Sequence, residues 1–412
     1  MTPIGFKPVV TGLGAISPLG HSVSECWQNA QRGHCAIKQE VIDPGTNGPP
    51  PFSILVARVP GNPAKCLEER LLRRVGDSLD PFAVFALAAA AEAIERAALS
   101  DLALSQAAVV FGHGMGGMHT LENGFERFYG RRTKHVHPLT VPRCMVSAAV
   151  SAITMEFDIR GPAFAVSSAC ASSGHAIAQG ASLIASGLAE VAIVGGSEAI
   201  ATPACLAAWD NLRAISSTAC RPFSANRDGT AIGEGGAALV LESEAHARRR
   251  GAKILGIITG IGMSSDAHHI TQPNKRGAVT SMRRACEQAG VIDQENLLIS
   301  AHGTGTPLND ANENDAILEV FGTRTKTHQV IATKSAHGHL IGATTAMQAV
   351  LGLCSLEQRL APPILNFTAA DANCTLNLVT GEARNISCEA VLVNSFAFGG
   401  LNCSLVLTRD HS

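Results

Sequence analysis

A cysteine among very small residues is the first candidate for chemistry in this sequence. Cys170 lies in the stretch 166–174, where a short apolar run is followed by serine, alanine and glycine and then by a predicted helix. A turn of this kind places the thiol at a helix N-terminus, where the helix dipole and free backbone N–H groups favour the thiolate. The small neighbours would leave those N–H groups free to stabilise an oxyanion. The competing interpretation is a buried apolar cysteine, the commonest role for the twelve cysteines of this chain.

Histidines that follow predicted strands are the second set of candidates. His302 begins a polar, glycine-rich loop, where it could face a cleft or simply fill a turn. Lys334, His337 and His339 lie together at a turn in the second half of the chain that matches the cysteine turn in the first. A lysine beside a histidine helps to keep the imidazole neutral, and a neutral imidazole can donate a hydrogen bond to a developing enolate. The spacing alone does not choose between His337 and His339.

Glycine-rich loops and further histidines offer weaker signals. The stretch 394–400 follows a predicted strand, and its backbone N–H groups could complete an oxyanion hole or form an ordinary hairpin turn. The pair Gly12 and Gly14 lacks the third glycine of a dinucleotide-binding fingerprint. No paired carboxylate or HExxH spacing accompanies the histidines, so we expect no metal site.

The composition excludes several classes of protein. Of the 412 residues, 46% are hydrophobic and 16% are charged, which argues against a disordered chain. The formal net charge of −2 argues against a nucleic-acid binder that follows phosphates. No apolar run is long enough to span a membrane and the first residues lack a secretory signal, so we expect a cytoplasmic protein. No two cysteines form a CxxC pair, which excludes a zinc ribbon or a thioredoxin motif.

Ten short apolar runs, many of them ending in glycine, predict the strands that position these candidates. They form two series of five with the same order, which we interpret as two domains, residues 1–250 and residues 251–412. Apolar, Ala-rich stretches at 81–94, 171–186 and 338–357 predict buried helices. Two of these helices between two sheets would give an α/β fold with five layers, α/β/α/β/α. The predicted strands are 7–14, 107–112, 163–168, 191–196, 236–241, 254–260, 297–303, 329–334, 391–395 and 403–407.

Taken together, these motifs resemble the elongating type of β-ketoacyl-[acyl carrier protein] synthase, a condensing enzyme with the thiolase fold and duplicated halves. The resemblance covers nearly the whole chain, and its most specific stretches are 166–174, 301–310, 334–343 and 394–400. It implies a decarboxylative Claisen condensation of a cysteine-bound acyl chain with malonyl-[acyl carrier protein], in fatty-acid or specialised polyketide-like lipid synthesis. The products would be 3-oxoacyl-[acyl carrier protein] and carbon dioxide. No cofactor is implied, because the phosphopantetheine arm arrives on the carrier protein.

The resemblance also implies a role for each candidate residue. Cys170 would accept the acyl chain, and His302 would form a histidine pair with His339, because the second histidine of the family stands five residues after the lysine. Lys334 would orient the site, and Glu313 would belong to its supporting network. Thr304 and Thr306 would bind the pantetheine arm, and Met115 would line the acyl pocket. Phe398 would be a mobile gate, and its N–H would join that of Cys170 in the oxyanion hole. The residues implied in carrier docking are Arg70, Arg73 and Arg74.

The resemblance leaves the substrate and the assembly open. Leu139 and Thr140 stand where fatty-acid elongases usually have bulky aromatic residues, and Thr230 stands where Phe is usual, so we expect a modified acyl pocket. The family is typically homodimeric, and a heterodimer with a related subunit is the other arrangement. The alternative function is a non-catalytic chain-length partner of another synthase, although such partners generally lack the nucleophile. A thiolase would need a second cysteine in a Cys-x-Gly context, which Cys403 does not provide.

Overall fold

The computed structural model describes residues 8–45, 48–61, 67 and 79–410. Its strands are β1 (Pro8–Ile16), β2 (Lys38–Ile42), β3 (Phe52–Ala57), β4 (Ala108–Gly112), β5 (Ala163–Val166), β6 (Val191–Glu198), β7 (Ile232–Gly233), β8 (Gly235–Ser243), β9 (Gly256–Ser265), β10 (Leu298–Ser300), β11 (Gln329–Ile331), β12 (Leu360–Ala361), β13 (Arg384–Asn385), β14 (Ala390–Ala397) and β15 (Leu401–Thr408). Its α-helices are α1 (Val23–Gln31), α2 (Pro81–Ala97), α3 (Asp101–Ser105), α4 (Met118–Phe125), α5 (Thr140–Cys144), α6 (Ala148–Glu156), α7 (Ser172–Ala185), α8 (Pro203–Asn211), α9 (Glu244–Arg249), α10 (Lys275–Ala289), α11 (Pro307–Phe321), α12 (Lys334–His337) and α13 (Thr344–Gln358).

The ten predicted strands all form, and they belong to one ten-stranded sheet. Its order is β11-β10-β14-β15-β9-β1-β8-β6-β4-β5, so the second half of the chain repeats the strand order and the strand directions of the first half. The two predicted sheets are joined along one edge of each by the pairing of β1 with β9. That antiparallel contact joins Val9 to Ile257 and Val10 to Gly256, so the first strands of the two halves meet at the centre of the molecule.

The helices complete the five predicted layers. Helices α2 and α6 cover the outer face of the first half of the sheet. Helix α10 covers the outer face of the second half, and α11 packs against α10. Helices α7 and α13 contact each other between the two halves. Every residue of α13 from Thr344 to Leu356 is buried, as its apolar sequence predicted. Among the described residues, no helix is long and apolar enough to cross a membrane.

A pair of glycines on the first strand of each half lets a helix approach the sheet closely. A Cβ atom added at Gly14 would lie 1.9 Å from the Ala89 carbonyl oxygen of α2. In the second half, a Cβ added at Gly262 of β9 would lie 1.8 Å from the Ser281 carbonyl oxygen of α10. The Gly-x-Gly motif therefore serves helix–sheet packing in both halves, and this repeated contact is one source of the high glycine content.

Candidate active site

Cys170 lies at a sharp turn between strand β5 and helix α7. A single 3-10 turn, Ala169–Ala171, leads directly into the helix. Ala169 has a φ of 50°, in the left-handed region that alanine rarely adopts. Ser172 Oγ closes this turn, because it accepts the N–H of Ser168 at 2.8 Å and donates to the Ala169 carbonyl at 2.7 Å. The turn holds the cysteine at the wall of a cavity, with 4% of the residue exposed.

His339 lies directly against the cysteine. Its Nε2 is 3.1 Å from Cys170 Sγ. On the other side of the ring, Nδ1 accepts the backbone N–H of Ile341 at 3.2 Å and lies 2.9 Å from Thr344 Oγ1. A backbone N–H can only donate, so the neutral ring carries its hydrogen on Nε2. That N–H faces the sulfur and the cavity.

His302 completes a buried group of three side chains. Its ring centre is 5.5 Å from that of His339, and the two rings are nearly perpendicular. Lys334 Nζ lies 3.3 Å from His302 Nδ1 and also donates to the His302 carbonyl oxygen. The Glu313 carboxylate accepts the backbone N–H groups of His302 and Gly303, each at 2.8 Å. These contacts hold the Nδ1 side of His302 and leave its Nε2 side for a ligand in the cavity.

Burial decides the protonation of the cysteine and the lysine. It raises the pKa of the Cys170 thiol to about 11, although Lys334 and the backbone N–H groups of Phe398 and Cys170 oppose this shift. The loss of solvation therefore outweighs the dipoles that favour a thiolate at the helix N-terminus, and the resting cysteine is a thiol. The same N–H groups face the sulfur, where an oxyanion would form. Burial also lowers the pKa of Lys334 to about 8.

Both histidines are neutral at physiological pH. Burial is the largest cause, and it holds the pKa of His302 and that of His339 well below the usual value of 6.5. The Lys334 charge is the next cause for each ring, because it disfavours a second positive charge nearby. The site can therefore offer two imidazole N–H donors that do not first need to lose a proton.

The cavity at Cys170 has a volume of about 400 Å³, and two aromatic residues, Trp209 and Phe398, line part of its wall. Phe398 is 39% exposed, and its ring stacks on that of Trp209 with centres 6.0 Å apart. Thr304 and Thr306 lie on the same wall, with their hydroxyl oxygens 2.9 Å apart. The predicted residues that the structure brings to this cavity are Cys170, His302, His339, Thr304, Thr306 and Phe398.

Some predicted residues lie elsewhere. Met115 is not among the residues that line this cavity, and 43% of it is exposed. His337 is buried beside the site, but its Nδ1 bonds the Gly338 carbonyl and its Nε2 bonds Thr333 Oγ1, so it does not face the cysteine. The predicted carrier-docking residues Arg70, Arg73 and Arg74 lie outside the described residues.

Two buried polar residues beside the site were not predicted. Gln348 of α13 donates to the Ser300 and Ala301 carbonyls at 3.3 and 2.6 Å, and its Oε1 accepts from Lys334 Nζ at 3.4 Å. Glu198 ends β6 and binds backbone N–H groups of two loops. Gln348 could have been found as a polar side chain within the apolar sequence of helix α13. For Glu198 the signal was a carboxylate at the end of a strand, two residues after a pair of glycines.

The donor atoms of Cys170, His302 and His339 lie within 4.8 Å of one another, a spacing that could hold a metal ion. The hydrogen bonds argue against that use. Nδ1 of His339 accepts from Ile341 and Nδ1 of His302 faces the Lys334 ammonium, so each ring presents an N–H rather than a lone pair. Such a group suits an anion.

Sequence comparisons agree with this chemistry. Residues 7–247 match the model described as "Beta-ketoacyl synthase, N-terminal domain", and residues 255–368 match "Beta-ketoacyl synthase, C-terminal domain". The chain is 33% identical over 413 residues to 3-oxoacyl-[acyl-carrier-protein] synthase 2 of Coxiella burnetii, covering 98% of both proteins. It is 36% identical over 407 residues to nodulation protein E of Rhizobium meliloti (strain 1021), covering 98% of this chain and 99% of that protein.

Solved structures show the same fold. The chain matches a β-ketoacyl synthase from Burkholderia phymatum with a TM-score of 0.88 at 30% identity, covering 98% of this chain and 100% of that one. It matches the ishigamide ketosynthase/chain length factor with a TM-score of 0.89 at 30% identity, covering 98% and 99%.

The thiolase-like fold and the buried cysteine with two histidines define a condensing acyltransferase. The chain belongs to the beta-ketoacyl synthase family. The predicted family, fold class and type of reaction are confirmed.

Proposed function

We propose that this chain acts as a 3-oxoacyl-[acyl-carrier-protein] synthase in which Cys170, His302 and His339 do the chemistry. One observation carries the assignment: a thiol and two neutral imidazoles meet at one wall of a cavity, with two backbone N–H groups facing the sulfur. An acyl-transfer step needs the nucleophile and the N–H groups, and a decarboxylation step needs the imidazole donors.

The first step transfers the acyl group. The Cys170 sulfur attacks the carbonyl carbon of an acyl-carrier thioester, and the oxyanion that forms is stabilised by the N–H groups of Cys170 and Phe398. The carbon–sulfur bond to the carrier then breaks, and the thiol proton passes to the departing pantetheine sulfur. Because the pKa of Cys170 is about 11, the proton must leave as the new bond forms.

The second step uses both histidines. The malonyl thioester oxygen lies between the Nε2–H groups of His302 and His339, so the electron pair released with carbon dioxide is held as an enolate. The enolate carbon attacks the acyl carbonyl on Cys170, and the cysteine sulfur leaves and takes up one proton. The products are the 3-oxoacyl carrier, carbon dioxide and the free thiol.

The remaining residues would guide the substrates. The Thr304 and Thr306 hydroxyls would bind the pantetheine arm, since both line the cavity. Phe398 would open and close access to the cysteine by leaving its stack on Trp209. Met115 would line an acyl pocket that a second subunit completes, which accounts for its exposure in a single chain.

The assembly is also part of the proposal. We propose a homodimer served by an acidic carrier protein in the cytoplasm, with two domains, 1–250 and 251–412. Solved relatives include a ketosynthase from Xenorhabdus doucetiae in complex with its chain length factor and a type II ketosynthase in complex with its acyl-carrier protein. These complexes favour a carrier partner and leave a heterodimer as the other arrangement.

Cys170→Ala tests the nucleophile. Wild-type protein incubated with acyl-carrier should gain the mass of one acyl group, and the variant should gain none, because no other cysteine lines the cavity among the described residues. An acyl adduct of equal yield on the variant, measured by intact mass spectrometry, would refute the assignment. Carbon dioxide release from malonyl-carrier by the purified chain alone separates this function from that of a non-catalytic chain-length partner, which would release none.

A further inference from the structure

A buried carboxylate joins the turn after His339 to the loop after strand β4. Glu198 has no exposed surface. Its Oε2 accepts the backbone N–H groups of Gly114 at 2.6 Å and of Gly342 at 3.0 Å, and its Oε1 accepts that of Met115 at 3.2 Å. Within the described part of the chain, no lysine or arginine forms an ion pair with it. Its described partners are therefore backbone donors, which favour the carboxylate, while burial raises its pKa to about 7.

The turn that Glu198 holds determines the orientation of His339. The 3-10 turn Ile341–Ala343 begins with a φ of 44° at Ile341, which β-branched residues rarely adopt. In that conformation the Ile341 N–H points back to Nδ1 of His339. The next N–H, that of Gly342, binds Glu198. A strained turn keeps its conformation only where its surroundings hold it.

The fit around the carboxylate leaves no spare room. A Cβ added at Gly342 would lie 2.8 Å from Glu198 Oε2, and one added at Gly114 would lie 2.7 Å from it. The carboxylate and the two loops therefore meet in van der Waals contact that only glycine permits. A small displacement of Glu198 would be passed directly to the turn.

We propose that Glu198 is a positioning residue of the condensation, which holds the turn so that His339 keeps its hydrogen on Nε2, facing Cys170. This inference rests on the proposed role of His339. A carboxylate suits the place because the backbone groups that bond it are N–H donors, and both carboxylate oxygens accept. An amide at the same place would direct its own N–H₂ group at a backbone N–H and release one loop.

The test compares Glu198→Gln with Glu92→Gln. Glu92 is a matched control, because its carboxylate also accepts backbone N–H groups from separate places, Ala15 and Val23, on the outer layer of the molecule. The ring nitrogens of His339 are observed by ¹⁵N NMR of histidine-labelled protein and assigned by the signals lost in His339→Gln. Wild-type and Glu92→Gln proteins should show Nε2–H alone, and Glu198→Gln should show both tautomers.

Kinetics supply the second measurement. Glu198→Gln should lower kcat for decarboxylation of malonyl-carrier by about 10- to 100-fold, because a displacement near 1 Å has that effect. KM should stay within about 2-fold, since no substrate contact is lost. A single Nε2–H tautomer in Glu198→Gln with kcat unchanged, or a loss of thermal stability alone, would overturn the inference.

Two further outcomes are also decisive. If Glu198→Gln does not fold, Glu198→Asp withdraws the carboxylate by one methylene and should show the same mixture of tautomers, and a single Nε2–H tautomer would overturn the inference. If wild-type protein releases no carbon dioxide, the proposed function fails, while the NMR comparison still decides whether Glu198 sets the tautomer.

Discussion

At the level of single residues, loss of solvation controls the charges in the site. It is the largest cause of the raised pKa of Cys170 and of the lowered pKa of Lys334, His302 and His339. The resting group is therefore a thiol, two neutral imidazoles and a marginally stable ammonium. That combination suits a reaction in which negative charge appears only transiently, because each donor is present before the enolate forms.

Removing either histidine should affect the second step much more than the first. In His302→Ala or His339→Ala, carbon dioxide release should fall about 100- to 1,000-fold, the usual cost of one lost oxyanion donor. The acyl adduct at Cys170 should still form, because its oxyanion is held by backbone N–H groups. Carbon dioxide release and intact mass are measured side by side, with exposed His268→Ala as the control. Equal loss of both steps would contradict this division of roles.

The lysine predicts an alkaline limit to decarboxylation. The pKa of Lys334 is about 8, so its ammonium form is complete well below pH 8 and is lost as the pH rises through that value. When the ammonium loses its proton, the hydrogen bond from Lys334 Nζ to His302 Nδ1 also weakens. The rate of malonyl-carrier decarboxylation should fall with a midpoint near pH 8. The Cys170 thiol cannot cause that midpoint, since its pKa is about 11.

The variant Lys334→Met is the control for this pH dependence. It should be slow at every pH and should lack the midpoint near pH 8, because no ammonium remains to be lost. A wild-type rate that stays constant between about pH 7 and 9.5, where the Lys334 ammonium changes charge, would contradict the prediction.

At the level of elements, a pair of glycines on the first strand of each half lets a helix pack closely against the sheet. Gly12 and Gly14 bring α2 onto β1, and Gly260 and Gly262 bring α10 onto β9. The pairing of each of these strands is also shifted by one residue just before its glycines, at Thr11 and at Thr259. The two halves therefore share the strand order, the one-residue register shift and the helix contact beside that shift.

Adding one methyl group to either strand should destabilise the fold. Gly14→Ala and Gly262→Ala each place a Cβ within 2 Å of a helix carbonyl oxygen, so the helix must move. The free energy of unfolding should fall by about 1–3 kcal/mol or more in each variant, measured by urea denaturation. Gly124→Ala in α4 is the control, because its Cβ would meet Thr140 at an ordinary 3.6 Å. An unchanged unfolding midpoint in both strand variants would show that the helices adapt without cost.

The prediction of elements from the sequence succeeded where apolar runs are long and fully buried. All ten strands of the main sheet and the buried helices α2, α7 and α13 follow from such runs. The short strands β2, β3, β7, β12 and β13 were not predicted. They have two to six residues, and pairing with distant segments, such as β3 with β7, stabilises them more than local sequence does.

At the level of the whole molecule, one region exposes an unusual amount of apolar surface. Met115, Tyr129, Val141 and Phe164 are 43%, 72%, 67% and 38% exposed, and all lie between residues 115 and 164. Among the described strands, β5, which contains Phe164, is the last at its end of the sheet, and its outer edge pairs with none of the others. An unpaired strand edge beside exposed apolar side chains is suited to pairing with a second copy of the chain.

Phe164→Asp should therefore give a monomer. A charge on the edge strand would lose its hydration at a paired interface, which disfavours the dimer. Light scattering coupled to gel filtration should report the mass of two chains for the wild-type protein and of one chain for the variant. Leu188→Asp is the control, because Leu188 is 67% exposed outside this region. A wild-type protein that runs as one chain would refute the homodimer.

The sequence by itself determined the duplicated α/β architecture, the ten main strands and the short stretches that contain the reactive side chains. These depend on local patterns: apolar runs, small residues at turns and glycines at strand ends. The spacing left His337 and His339 open, and the family resemblance chose His339. Only the tertiary structure decided that Cys170 rests as a thiol and that the buried Gln348 and Glu198 lie beside the site. Each of these depends on contacts between residues far apart in the chain and on the removal of water from between them, which no local pattern records.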